Sequence, residues 1–206
     1  MTTSAAPAAS DRSDFRNVMI AGTKTGALTA LAVVVFLAAS RGLGAGAVRA
    51  VVQSLVVLAA GTAAAFLPAQ WAAPRTTEGV AGSAAIGLWG TIVFSVIDIA
   101  LLRPLRAYPW TWDAVGGGAT WWYLPIWWML GTYLAWLGGL VWAQRQAREG
   151  GDLSIGRLAL PVVGGAVGLA AVATLARLGV LLPVAAGGGF AITLTVLAVA
   201  GIARQR

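Results

Sequence analysis

The chain has 206 residues, of which 59% are hydrophobic and 10% charged, and its mean hydropathy is +0.81. Soluble domains carry about 25% charged residues, so the composition excludes a soluble globular protein and points to an all-α polytopic membrane bundle. The chain contains neither Cys nor His, which rules out disulfides, thiol chemistry, His-based proton relays, and zinc or haem ligated by those residues.

Other cofactors are not predicted either. The formal charge of +7 comes from basic residues placed between apolar runs rather than in one patch. That is the pattern of membrane loops, so the expected partners are membrane lipids and other membrane subunits or a second copy, with no nucleic acid. Thirteen Arg against one Lys, with much Ala and Gly, suggest a GC-rich bacterial source and hence the bacterial cytoplasmic (inner) membrane.

Residues 1–16 are small and polar, with Asp11, Arg12, Asp14 and Arg16, and read as a disordered cytoplasmic tail. Residues 17–206 read as a single transmembrane domain. The first apolar core starts late and runs long, unlike a signal peptide, so span 1 (18–39) is read as uncleaved. It carries Gly22 and Gly26, a small-xxx-small pair suited to close helix approach. Lys24 between them is read as snorkelling, with Glu78 as a partner it could reach. Span 2 (47–68) has Arg49 and Gln53 four residues apart on one face. Trp71, in the loop that follows, is expected to anchor at the interface. Span 3 (80–102), rich in small residues, is expected to pack centrally. Asp98 lies near its far end, close to Arg103 and Arg106.

Eight of the ten Trp fall between Arg103 and Trp142. The first part, 103–120, is too rich in polar residues, Pro and Gly to cross, and reads as an aromatic extracytoplasmic loop. Tyr108, Trp110, Trp112 and Asp113, with Trp121 and Trp122 beyond, either anchor it at the interface or hold a headgroup or sugar. Gly116–Gly118 lacks the Lys-Ser/Thr of a phosphate loop. Span 4 (121–142) follows. An aromatic belt accounts for Trp121, Trp122 and Trp142. Trp127, Trp128 and Trp136 sit deeper, and either pack against glycine-rich helix faces or line a site for a hydrophobic ligand such as a quinone, carotenoid or lipid chain. Pro125 is expected to bend the helix there. Spans 5 (158–175) and 6 (184–202) complete the bundle, with Pro161 in the first turn of span 5. Their barely polar connection leaves a re-entrant segment as an alternative.

Six spans put both termini on one side. That side then holds Lys24 and Arg12, 16, 75, 145, 148, 157, 204 and 206, nine basic residues, against five at Arg41, 49, 103, 106 and 177. The bias favours cytoplasmic termini. Spans 1–3 and 4–6 share no repeat beyond Ala, Val and Gly.

One intramembrane site stands out. Arg49 and Asp98 each lie about one turn inside the same end of their spans, so Asp98 is expected to face Arg49, with Arg103 as the competing partner. A buried carboxylate is costly unless paired, so a structural lock is favoured over a relay, which needs a chain of ionisable groups. No Ser, Lys or Asp stands in a recognisable catalytic motif. The sequence therefore suggests a non-enzymatic accessory subunit of a membrane complex. The alternatives are a small transporter or channel using the Arg49/Asp98 region, or a protein binding a hydrophobic ligand against span 4.

Overall fold

The computed structural model of the protein describes residues 11–105, 107, 123–150 and 153–204. Within them the chain forms six long helices and, among the described residues, no strand. They are α1 (Phe15–Gly42), α2 (Ala47–Ala72), α3 (Thr77–Ile97), α4 (Tyr123–Glu149), α5 (Ile155–Leu175) and α6 (Leu182–Ala203). A five-residue π-helical segment, Asp98–Leu102, prolongs α3. About 20 apolar residues cross a bilayer core, and all six helices are long and apolar enough to do so.

Several boundaries differ from the hydropathy reading, each for a local reason. Helix α2 continues through Pro68 to Ala72, because a proline removes only one ladder bond and the helix closes on Ala73 in the left-handed region at φ 48°. Helix α4 runs seven residues past Trp142, through Ala, Gln, Arg and Glu, which favour helix. Ser154 caps α5 by accepting from the Arg157 N–H, so the helix starts at Ile155 and Pro161 falls in its second turn rather than its first. The connection to α6 turns at Arg177 (φ 52°) and Gly179 (φ 69°), and both flanking helices have spanning length.

Packing follows the small residues. Helix α3 has the largest buried share of any span and lies between α1 and α4, while α2 touches all five other helices. A methyl group on Gly26 would stand 2.6 Å from the Gly90 carbonyl oxygen, and one on Gly87 would stand 2.6 Å from that of Gly131. At Gly138 it would overlap the Ala65 carbonyl outright. These three crossings bring backbones together as small-residue helix faces allow. The larger core lies between α2, α4, α5 and α6, centred on Phe66, Leu137, Val162, Phe190 and Leu194. Buried hydroxyls are satisfied locally: Thr25, Ser83 and Ser95 donate to the carbonyls of Ala21, Gly79 and Thr91, four residues back. In contrast to α1 and α2, the consecutive pair α4 and α5 makes little backbone contact, so the two halves do not repeat.

The start of the described chain is tied down rather than loose. Arg12 N–H donates to the Ala72 carbonyl at 2.8 Å, and the Asn17 amide donates to the carbonyls of Arg12 and Trp71. The Asp11 carboxylate accepts from the N–H groups of Arg75 (2.9 Å), Thr76 (3.1 Å) and Gly79 (3.1 Å), and from the Thr76 hydroxyl. It thereby caps α3 from 64 to 68 residues away, filling donors that a helix start leaves open. Burial alone would push its pKa up, but the four hydrogen bonds outweigh burial and hold it below the usual 3.8. Gly79 and Gly82 make room for Asp11 and Ser13. The tail expected through Arg16 is thus ordered from Asp11 on, because its carboxylate completes a helix end that the local sequence leaves half capped.

Residues 11–16, the 73–76 turn, the end of α4 and the end of α6 all lie at one end of the bundle. The 43–46 turn, the π segment and the 176–181 connection lie at the other.

Candidate functional site

Asp98 is fully buried. Its carboxylate accepts from Arg103 Nε at 2.9 Å, with the Arg103 side chain 24% exposed. In an α-helix residues five apart are rotated by about 500° and so point about 140° apart. The π segment removes that mismatch: the Arg103 N–H bonds to the Asp98 carbonyl at 2.9 Å, five residues back, and the widened turn sets the guanidinium over the carboxylate. Among the described residues Arg49 forms no ion pair. The expected Arg49–Asp98 contact is therefore replaced by the competitor Arg103, because a change in backbone register brings the nearer arginine onto the right face. Gln53, on the face of Arg49, instead donates to Ser40 across to α1 at 2.7 Å. Arg41 reaches from the end of α1 to the Ala107 carbonyl.

The deep tryptophans divide. The Trp127 ring meets Phe94 edge-on at 5.4 Å, and Trp128 Nε1 donates to the Ser95 hydroxyl at 3.3 Å. Both take part in the α3–α4 contact, and Trp128 also lines the groove on the outer side of α4. Trp136 points outward, 43% exposed, beside Tyr133 at 6.4 Å between ring centroids. With Leu88, Ile126 and Met129 these two aromatics wall an open, almost wholly apolar groove of about 660 Å³ on the outer surface of α4. The Tyr133 hydroxyl is paired with Thr195 of α6 at 2.7 Å, so the phenol does not leave a polar group facing lipid.

Pro125 lies near the start of α4 as described. Trp142 is buried in the main core, not an interfacial anchor, because α4 extends well beyond it. Lys24 is stacked 5.9 Å above the Trp71 ring and forms no ion pair with Glu78 among the described residues. Tyr108, Trp110, Trp112, Asp113, Trp121 and Trp122 lie outside the described residues. No three acidic side chains converge among the described residues.

Two features had no signal in the sequence. The π segment is a property of hydrogen-bond register, with no residue type to announce it. The Asp11 cap joins residues more than sixty apart. The sequence also gives no sign that Gln144, the first of the polar residues that follow Trp142, is buried and bonded to the Ala198 carbonyl at 3.0 Å.

Fold and site together define an all-helical chain with six helices of membrane-spanning length, a multi-pass membrane protein. No family model, curated protein or solved structure matches it.

Proposed function

We propose that this protein is a non-catalytic subunit of a larger membrane complex, and that the groove on α4 receives an apolar transmembrane helix of its partner. The observation that carries this reading is the groove itself, walled by Leu88, Ile126, Met129, Tyr133 and Trp136, its two hydroxyls at Thr132 and Tyr133 already hydrogen-bonded within the protein. Aromatic side chains at such a surface supply contact area at low entropic cost. The ionisable groups give no competing chemistry: Asp98 is bound by Arg103 within its own helix, which is an arrangement for holding a helix end and not for passing a proton along. In the same reading the protein sits in a bacterial inner membrane with both termini cytoplasmic, as the bias in basic residues favours.

Native mass measurement of the protein extracted in mild detergent tests the proposal. The wild type is expected to carry a stoichiometric partner, and Tyr133→Ala with Trp136→Ala to release it. Removing a central aromatic anchor weakens an interface by about 2 kcal/mol, roughly 30-fold. A monomeric wild-type particle without partner would overturn it. The same walls favour a second reading, a quinone, carotenoid or lipid chain held against Trp136. A small molecule that co-extracts with the wild type and is lost in Trp136→Ala would select it. A transport role requires the flux of reconstituted protein to change in Asp98→Asn, and unchanged flux removes it.

A further inference from the structure

Where the last turns of α4 and α6 meet the first turns of α5, the helices enclose a small cavity of about 90 Å³. Its inner wall is apolar, formed by Val141, Leu158 and Leu197, and its rim is cationic, formed by Arg145, Arg148 and Arg204. Gln144 sets the spacing. Its buried amide bonds to the Ala198 carbonyl in a space that Gly201 leaves open, since a Cβ there would overlap the carboxamide. The cavity is thus part of the helix packing and not a gap between mobile side chains.

Its charge is unbalanced. Glu149 is the one carboxylate in contact with this cluster among the described residues, and it already accepts from Arg145 at 2.9 Å and Arg157 at 3.0 Å. Arg148 and Arg204 form no ion pair among the described residues. Among the described residues four guanidinium groups, three of them lining the cavity, stand with one carboxylate, a surplus of three. The helix ends offset little of it: two C-termini and one N-terminus contribute about half a negative charge in sum. A surplus of more than two positive charges remains above an apolar wall, at the depth where the spans end.

We infer that this cavity binds the headgroup end of an anionic phospholipid, with its phosphate in the rim of Arg145, Arg148 and Arg204 and only the first methylenes of an acyl chain against the apolar wall. The planar guanidinium fork matches phosphate oxygens in pairs, and basic pockets between spans are suited to acidic headgroups. A soluble anion would use the rim but gain nothing from Val141, Leu158 and Leu197. This inference stands apart from the partner groove, which lies on a different surface of the bundle.

The test is native mass measurement of the purified full-length protein in mild detergent, titrated with phosphatidylglycerol or with phosphatidylcholine. Phosphatidylglycerol is expected to be retained at least about tenfold more tightly. Each rim arginine contributes about fivefold near a charged surface, so Arg148→Gln with Arg204→Gln should weaken retention about 25-fold. Arg16→Gln with Arg75→Gln, an equal loss of exposed charge at the same end, should change it less than about twofold. Equal retention of the two lipids overturns the inference, as does an equal loss in the control pair, which would make the attraction a diffuse basic belt. If millimolar inorganic phosphate displaces phosphatidylglycerol completely, the cavity reads free phosphate and the lipid assignment fails. The comparison of lipids on the unmodified protein stands however the variants behave.

Discussion

The carboxylates at the two ends of the bundle are held by the same kind of partner in opposite surroundings. Asp98 has no exposure and accepts from Arg103, five residues on. Glu149 is 30% exposed and is shared by Arg145 and Arg157, themselves 47% and 66% exposed. A buried charge that loses its partner is stranded away from water, whereas an exposed one is taken up by solvent. Geometrically similar pairs therefore do different work. The first fixes how α3 ends, and the second trims a surplus of positive charge while leaving most of it available.

Four measurements on detergent-purified protein would break or sharpen that contrast, each read as a shift in unfolding free energy. Arg103→Ala removes the guanidinium paired with the buried Asp98 carboxylate and should cost about 3 kcal/mol. A cost under about 1 kcal/mol would mean that burial does not separate the two pairs. Gly138→Ala forces a methyl into the Ala65 carbonyl and should cost about 2 kcal/mol by overpacking, with the loss concentrated in protection of α2 and α4 amides from exchange.

Asp11→Ala removes a cap of intermediate exposure and should cost about 1 kcal/mol near neutral pH. Its pH dependence carries a definite sign. The folded pKa lies below 3.8, so the stabilisation is complete above that value and disappears as pH falls through the folded pKa. The difference between wild type and Asp11→Ala should accordingly shrink only in strong acid, and a difference that instead grew on acidification would contradict the cap. Glu149→Gln should change stability by less than about 0.5 kcal/mol. If it costs as much as Arg103→Ala, the surface cluster is a structural lock and not a reserve of charge.

Hydropathy made the six spans and the all-helical class legible, because bilayer thickness and hydrogen-bond satisfaction leave few other solutions for such runs. The glycine pairs announced close packing but not its partners: Gly26 could have met any small-residue face, and only the assembled bundle sets it on Gly90. Helix ends were less legible, since Ser154, Asp11 and the run after Trp142 act through caps and propensities that a hydrophobicity window averages away. Depth alone does not choose between Arg49 and its competitor Arg103 as the partner of Asp98. Arg49 and Asp98 lie at comparable depth, but the π segment rotates Arg103 onto the carboxylate. Of the tryptophans, Trp127 meets a large residue, Phe94, where a glycine-rich face was one expectation, while the burial of Trp142 depended on where α4 stops.

The cap supplied by Asp11 also has a consequence in time. A ribosome reaches Gly79, the last of its donors, 68 residues after Asp11 itself. At about 5–20 residues per second that is a delay of roughly 3 to 14 seconds, during which α1 and α2 are made and the Trp71 and Ala72 carbonyls that hold Asn17 and Arg12 appear, but the Asp11 cap stays incomplete. The clasp closes only when the start of the third helix arrives, so it records that the first hairpin has gone in with its ends on the matching side. A chain that placed α2 wrongly would carry residues 75–79 to the far face, and Asp11 would stay in water.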